Sequence, residues 1–193
     1  MSFGSDQTCA LPAPACALPG ALAETTPAEA TAPRTWRAPS APERYALLRE
    51  ARSIAIVGAS DNRARASYFV ASYLLGGSDL DVYFVNPRAT EILGRPVYAS
   101  LADLPVAPDI VDVFRRHDDL PDVARESVAV GAKTLWLQLG SWNEEAAAIA
   151  AEAGLSVVMD RCVKIEHARF HGGLRLAGFD TGVISSKRQV TAR

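Results

Sequence analysis

Arginine side chains follow three of the predicted strands, where they could bind the phosphate groups of a ligand. Arg63 and Arg65 come after the first strand, Arg88 after the second, and Arg115 and Arg116 after the fourth. A guanidinium group suits phosphate because its planar fork donates two parallel hydrogen bonds to the phosphate oxygens. A single arginine is ordinarily a solvated surface residue, but several at the ends of neighbouring strands indicate a phosphate-binding edge.

The loop after the first strand carries a second signal for phosphate binding. Residues 54–57 form a short apolar run that predicts a strand buried on both faces. Ser67 is expected to cap a helix over residues 68–75, whose N-terminal N–H groups and dipole would attract an anion. The loop between them begins with small residues that let a ligand approach the backbone, Gly58, Ala59 and Ser60. Together these features predict a phosphorylated, nucleotide-like ligand.

Cys162 and a pair of histidines are the remaining candidates for chemistry. Cys162 follows the sixth strand, and it is either a reactive thiol whose pKa is lowered by Arg161 or a buried structural cysteine. His167 and His171 stand four residues apart, which would suit a metal if the helix continued past them. Glycines at positions 172 and 173 predict that the helix ends there, and no third ligand is evident. We therefore predict no metal site.

The loop and the second strand argue against NAD as the ligand. The dinucleotide fingerprint needs two further glycines after the first and an acidic residue at the end of the second strand. Here the loop continues from Gly58 to Arg63 without another glycine, and the second strand ends in Asn86. Arg88 suits a phosphate on the ribose instead, as in NADP or coenzyme A. The sequence also contains neither a nucleophile elbow nor a phosphate-loop lysine.

The elements that position these residues predict an α/β fold. Apolar strands alternate with helical patterns, which favours a Rossmann-like, doubly wound, mostly parallel sheet in a single three-layer domain. Six strands are predicted, over residues 54–57, 82–85, 96–99, 110–114, 134–138 and 156–159. Helices are predicted over 43–51 after Pro42, over 68–75, from the Asp118-Asp119 cap to Gly131, from the Asn143 cap to Gly154, and over 163–170. A turn is predicted at residues 92–94. The loops after the strands then line one crevice.

Composition bounds the class of protein. The chain has 193 residues, 49% of them hydrophobic, and a net charge of −2, so a core is available and nonspecific nucleic-acid binding is not expected. No apolar run suggests a membrane span or a signal peptide. Three cysteines without a disulfide framework suit the cytoplasm. We predict a disordered Ala/Pro-rich tail over 1–40, in which Trp36 packs back onto the domain, then a ligand-binding domain over 41–170 and a Gly-rich extension over 171–193.

The chain resembles the small bacterial CoA-binding proteins. These are single Rossmann-like domains similar to the CoA-binding domain of the succinyl-CoA synthetase alpha subunit. The resemblance covers about residues 52–170 and continues into LAGFDTGVISSKR. It is carried by the stretches IAIVGASDN, VYFVNPRATEILGRPVYASLADLP, IVDVFRR, GAKTLWLQLGSWNEEAA and GLSVVMDRCVKIEH.

The resemblance implies that coenzyme A, free or acylated, binds across the crevice. The pyrophosphate would be held by Gly58, Ala59, Ser60, Arg65 and Ser67. The adenosine end would meet Asn86, Pro87 and Arg88, with Arg88 near the ribose phosphate. The ligand would be flanked by Phe114, Arg115, Gln138, Leu139 and Gly140.

Three functions remain open at this point. The first is a noncatalytic CoA-binding module, because the chain has no second domain to supply the phosphohistidine and partner contacts of the synthetase. The second is an enzyme that acts on the CoA thiol or thioester with Cys162 as nucleophile. For Cys162 itself, a disulfide with CoA is the sharpest hypothesis. The third is an NADP-dependent redox protein that uses Arg88. Trp142 is a candidate for stacking on adenine, and the Gly-rich extension hints at a homodimer.

Overall fold

The computed structural model describes residues 36–171. Its strands are β1 Ser53–Val57, β2 Asp81–Val85, β3 Glu91–Ile92, β4 Arg95–Tyr98, β5 Ile110–Val113, β6 Thr134–Leu137 and β7 Ser156–Val158. Its α-helices are α1 Ala41–Glu50, α2 Ala66–Gly77, α3 Leu120–Ala129, α4 Glu144–Glu152 and α5 Val163–His171. The predicted tail up to residue 35, the extension from residue 172 and the homodimer inferred from it lie outside the described residues, so the domain limits stay predictions.

The strands form one sheet in the order β3-β4-β2-β1-β5-β6-β7. Every neighbouring pair is parallel except β3 and β4, which are antiparallel. The chain runs outward from β1 in both directions, so the topology reverses between β1 and β5. Ligands of open α/β sheets bind beyond the carboxyl ends of the strands at such a switch point. The predicted doubly wound, mostly parallel α/β fold is confirmed.

Alternation along the central strands divides the core into two layers. Val57, Val111 and Leu135 face α3 and α4, whereas their neighbours Ile56 and Trp136 face α1, α2 and α5. Because successive side chains of a strand point to opposite faces, a run of apolar residues fills both layers at once. The result is the expected three-layer domain with helices on both faces of the sheet.

The N-terminus of α1 is capped by a motif that the prediction over 43–51 overlooks. The helix begins at Ala41, and the Ser40 hydroxyl and the Glu43 carboxylate form a reciprocal capping box. The spacing Ser-x-x-Glu is a known sign of a helix start. Before it, the Trp36 indole donates a hydrogen bond to the Val157 carbonyl at 3.1 Å, so this part of the predicted tail lies against the domain.

Two short elements differ from the prediction. The predicted turn at 92–94 is the tip of a hairpin, with positive φ at Leu93 (51°) and Gly94 (73°), that joins β3 to β4. Two positive φ values in succession are typical of such tight hairpin turns. Strand β3 is only two residues long, and a strand so short leaves no alternation to read in the sequence.

In the described part of the chain, no helix has the length and apolar character that crossing a bilayer requires.

Candidate functional site

A cleft of about 790 Å³ opens at the carboxyl ends of the central strands. It is the edge of the sheet at which the sequence predicts ligand binding. Most of the predicted site residues line it: Gly58, Ala59, Ser60, Arg65, Ser67, Asn86, Arg88, Phe114, Arg115, Gln138, Leu139 and Cys162. Arg116, which the sequence also places at this edge, lines the cleft as well. The lining further includes residues that the sequence did not indicate: Ala66, Val70, Val113, Asp119 and Ser141.

Four residues that the sequence indicates as candidates are not part of the lining. Pro87 follows β2 and is absent from the lining. Gly140 has a φ of 78°, and its N–H donates to the Asp160 carboxylate at 2.8 Å, so it shapes the loop after β6. Arg63 is exposed in the loop after β1 and is absent from the lining as well. Trp142 lies outside the cleft lining, with its ring edge-to-face with Trp36 at 4.8 Å.

Gly58 joins two of the loops that form the cleft. Its N–H donates to the Val85 carbonyl at 2.9 Å, and its φ is 81°. A Cβ atom at this position would lie 2.4 Å from the carbonyl oxygen of Phe114. The loops after β1 and β5 can therefore approach this closely only because residue 58 has no side chain.

Asn86 fixes the loop after β2 against the loop after β1. Its side-chain nitrogen donates to the Ala59 carbonyl at 2.7 Å, and its side-chain oxygen accepts from the Arg88 N–H at 2.9 Å. An acidic residue here would lack the donor that Ala59 requires. Asn86, whose presence in place of an acidic residue argues against NAD, therefore also connects the loops after β1 and β2.

Helix α2 points its N-terminus into the cleft, but Ser67 does not cap it. The helix begins at Ala66, and Arg65 occupies the N-cap position without a side-chain hydrogen bond. The preceding loop folds into turns, in which the Asn62 side chain accepts from Ala64 and the Asn62 carbonyl accepts from Arg65. These turns bring the chain into helical geometry two residues earlier than predicted. The capping prediction for Ser67 is wrong, and the first N–H groups of α2 face the cleft without a side-chain cap.

Four arginines and one aspartate line the cleft, which gives its wall a positive charge. The arginines come from three loops and are Arg65, Arg88, Arg115 and Arg116. Asp119 pairs with Arg115 at 3.3 Å and with Arg116 at 3.6 Å. Asp119 holds the N-cap position of α3, as predicted, but its side chain makes no capping hydrogen bond. It serves instead as a counterion that orients two guanidinium groups.

A buried carboxyl group, Asp112, lies behind the cleft wall. It is completely buried, and the Gln138 amide donates to its Oδ1 at 2.6 Å, while Oδ2 has no hydrogen-bond partner. Burial raises the pKa of Asp112 from 3.8 to about 8, against the smaller lowering effect of Gln138. The carboxyl group is therefore protonated and neutral at pH 7.

Burial also raises the pKa of Cys162, which lines the cleft beside Asp112. The backbone N–H groups of Ile165 and Lys164 partly offset the burial, and the charge of Asp112 raises the pKa further. The expectation that Arg161 lowers this pKa is wrong, because loss of hydration dominates at this position. The thiol therefore stays protonated at neutral pH.

The raised pKa of Asp112 has a consequence for stability that Asp112→Asn tests. Between pH 4 and pH 8 an unfolded chain ionises this carboxyl while the folded protein keeps it protonated, so the free energy of unfolding falls as pH rises. An asparagine at this position cannot ionise, so D112N should not lose this stability. Relative to the native protein, we expect the free energy of unfolding of D112N to rise by roughly 2–4 kcal/mol between pH 5 and pH 8. Urea denaturation at both pH values measures it. The exposed Asp79→Asn is the control, and equal pH dependence in both variants would contradict the assignment.

The histidines and acids of the described residues give no support for metal chemistry. Within residues 36–171, no group of three His, Cys, Asp or Glu side chains has the spacing to hold a metal ion. His167 is buried, and its Nδ1 lies 3.1 Å from the Tyr73 hydroxyl. That contact joins α5 to α2 and gives this histidine a role in packing.

Relatives of this chain share both its sequence and its fold. It is 39% identical over 130 residues to the uncharacterized protein YneT of Bacillus subtilis (strain 168), covering 67% of this chain and 96% of YneT. A hypothetical protein from Pyrococcus horikoshii OT3 is 36% identical, with a TM-score of 0.66, covering 75% of this chain and 99% of that chain. Part of the dinucleotide-forming acetyl-coenzyme A synthetase 1 of Ca. Korarchaeum cryptofilum shares the fold, at a TM-score of 0.51 and 24% identity, covering 56% of this chain and 26% of that chain.

The family match covers the sheet and the loops that form the cleft. Residues 52–168 match the CoA binding domain family, a stretch that begins just before β1 and ends within α5. The resemblance carried by the strand and loop motifs is thereby confirmed. From this match, which spans more than half of its length, we conclude that the chain belongs to the CoA binding domain family.

Proposed function

We propose that the protein binds coenzyme A or an acyl-CoA in the cleft, without catalysing a reaction. The observation that carries the proposal is the set of four arginines that converge with the α2 N-terminus on a single cleft. Coenzyme A carries a pyrophosphate and a ribose phosphate at one end and an uncharged arm at the other. A positively charged wall that continues to neutral residues such as Gln138 and Cys162 matches that distribution of charge.

The elements suggest an orientation for the ligand. The pyrophosphate would meet the α2 N-terminus and Arg65, where free N–H groups and the helix dipole favour an anion. The adenosine would lie toward the loop after β2, since that loop contacts the ribose in related α/β sites. Arg88 lies in that loop, and its backbone N–H donates a hydrogen bond to the Asn86 side chain. The pantetheine arm would then run past Phe114 toward Gln138, Leu139 and Cys162.

The two other functions considered from the sequence have weaker support. An enzyme with Cys162 as nucleophile needs a thiolate at every turnover, and the raised pKa of this thiol keeps the thiolate scarce. An NADP-dependent protein would use Arg88 for the 2′-phosphate, but the loop after β1 lacks the later glycines of dinucleotide-binding folds. Thermal shift with CoA, acetyl-CoA and NADP compares the ligands directly, because a ligand that binds the folded state raises the Tm. A shift with NADP alone would reject the proposal.

Arg88→Ala tests which phosphate the loop after β2 binds. Loss of a charge-assisted contact to the ribose phosphate should weaken CoA binding about tenfold to a hundredfold. Dephospho-CoA, which lacks that phosphate, should bind the variant and the native protein equally well. Isothermal titration calorimetry at constant salt concentration measures the affinity for both ligands. Arg125→Ala is the matched control, since Arg125 is an exposed arginine of α3 outside the cleft lining. An equal loss of affinity for both ligands would contradict this placement of the ribose phosphate.

A further inference from the structure

The cleft lining contains a thiol, Cys162, and the unpartnered carboxyl group of Asp112 lies behind the cleft wall. The phosphate-binding residues do not explain either group. We propose that Cys162 forms a mixed disulfide with coenzyme A held in this cleft, so that the protein is a reversible covalent acceptor of oxidised CoA. This inference rests on the proposed function, because the cleft must first bind the CoA moiety for the two sulfur atoms to meet.

The backbone around Cys162 holds the residue in a fixed place at the cleft. The Trp136 indole donates to the Arg161 carbonyl at 2.7 Å, and the Arg161 N–H donates to the Leu137 carbonyl at 3.4 Å. The Cys162 carbonyl accepts from the Glu166 N–H at 3.0 Å, which anchors it to the first turn of α5. The side chain is half-buried, unpaired and part of the cleft lining. A thiol in this position is accessible to a ligand in the cleft.

Asp112 is the independent observation that points to a ligand near Cys162. Its Oδ2 is buried and forms no hydrogen bond within the protein, although leaving a buried polar atom unpaired is costly. The group lies close enough to Cys162 for its charge to affect the thiol, and it is held by Gln138, which lines the cleft. At neutral pH this oxygen can carry the proton of the carboxyl group. An unpaired carboxyl oxygen therefore lies buried behind the cleft wall, near the sulfur atom of Cys162.

The environment of Cys162 suits a stable disulfide better than repeated catalysis. A buried thiol with a raised pKa reacts slowly, so small oxidants in solution modify it slowly too. The same environment gives no stabilisation to the reduced thiolate form, and thiols of this kind favour the disulfide at equilibrium. A single stoichiometric exchange with a ligand already held in the cleft needs the thiolate only once. The geometry therefore favours a lasting adduct over turnover.

The proposed step is a thiol–disulfide exchange with the symmetric disulfide of CoA. The Cys162 sulfur attacks one sulfur of the CoA disulfide, the original S–S bond breaks, and a new S–S bond joins Cys162 to the bound CoA moiety. The other half leaves as the CoA thiolate and takes a proton from water, which balances the proton lost by Cys162. Cys162 is oxidised and the departing CoA is reduced, so the CoA disulfide is the oxidant and no further reactant is needed.

The test uses the full chain with Cys9→Ser and Cys16→Ser, which leaves Cys162 as the single cysteine. This protein is incubated with CoA disulfide or with the same concentration of glutathione disulfide, and intact mass is followed over time. We expect an added mass of one CoA moiety that dithiothreitol removes, formed at least tenfold faster than the glutathione adduct. Peptide mass mapping should assign it to Cys162, and the further change Cys162→Ser should abolish it.

The outcomes separate this inference from the proposed function. If calorimetry shows CoA binding but no CoA adduct forms, the disulfide is rejected and the proposed function stands. Equal rates with CoA disulfide and glutathione disulfide would also reject it, because the cleft would then contribute nothing to the reaction. If CoA neither binds nor forms an adduct, the proposed function fails and this inference fails with it. The rate comparison needs no variant at Cys162, so it holds even where Cys162→Ser alters folding.

Discussion

Gly58→Ala is expected to destabilise the protein by about 3 kcal/mol and to abolish CoA binding in the cleft. Two costs combine at this position. An alanine must adopt a φ of 81°, and its Cβ must lie 2.4 Å from the Phe114 carbonyl oxygen. The obstacle is backbone and not a flexible side chain, so the loops after β1 and β5 must separate. Since both loops line the cleft, stability and ligand binding should fall together. Urea denaturation and calorimetric titration with CoA measure the two effects.

Gly94→Ala is the matched control for this prediction. Gly94 has a similar φ of 73°, but a Cβ there would meet no atom within 4 Å. The variant therefore pays the conformational cost without the clash, and we expect it to lose only about 1 kcal/mol and to keep its CoA affinity. The difference between the variants isolates the close approach of the two loops. Equal losses of stability would show that the approach is not tight in solution.

The central strands and the cleft could be predicted because local patterns determine them. Buried parallel strands appear as apolar runs, and their carboxyl ends must lie at one edge of the sheet. This placement alone brings Gly58, Asn86, Arg88 and Arg115 together from three separate parts of the sequence. The confirmation of the fold therefore also accounts for the grouping of these residues at the cleft, although their contacts with CoA stay predictions.

Contacts between neighbouring strands could not be predicted in the same way. Asp112 is visible in the sequence as one acid within an apolar run, but its partner depends on the register of β5 against β6. In the structure Asp112 is level with Trp136, so that Gln138, two residues further along, extends from the same face of the sheet. A shift of one residue would turn Gln138 to the other face. The pKa of Cys162 is raised and not lowered as predicted, and the reason is similar. Burial depends on how the layers pack, which the adjacent Arg161 in the sequence does not reveal.

The ion pairs of Asp119 have a signal in the sequence that the prediction did not use. The sequence places it three and four residues after Arg116 and Arg115, a spacing at which side chains meet in helical geometry. The sequence interpretation used the same aspartate as a helix cap, which short acidic residues often provide. The segment from His117 to Asp119 is a 3-10 turn, and it directs the carboxylate toward the arginines. If residues 115–119 are taken as a helical turn, the spacing predicts that Asp119 is the counterion of Arg115 and Arg116.

A buried ion pair between the first and last described helices is the basis of the second large prediction. Arg44 of α1 and Glu166 of α5 are joined at 2.8 Å with both side chains buried, and Arg169 lies 3.7 Å from the same carboxylate. The Arg169 guanidinium forms no hydrogen bond with any described residue. One carboxylate therefore neutralises two buried cations. Helix α5 begins next to Cys162, so this pair also supports the end of the cleft where we propose the disulfide.

Glu166→Gln is expected to lower the free energy of unfolding by about 3–5 kcal/mol, because it leaves two buried guanidinium groups without a counterion among residues 36–171. The substitution keeps the size of the side chain, so the loss reports charge and not a cavity. Urea denaturation at pH 7 measures it. Glu145→Gln is the matched control, since Glu145 pairs with Arg125 at the surface, at 3.0 Å and with both side chains exposed. Exposed pairs contribute little to stability, so only the buried pair should respond strongly. Similar small losses in both variants would mean that water reaches Glu166 in solution, and the link between α1 and α5 would then rest on apolar packing alone.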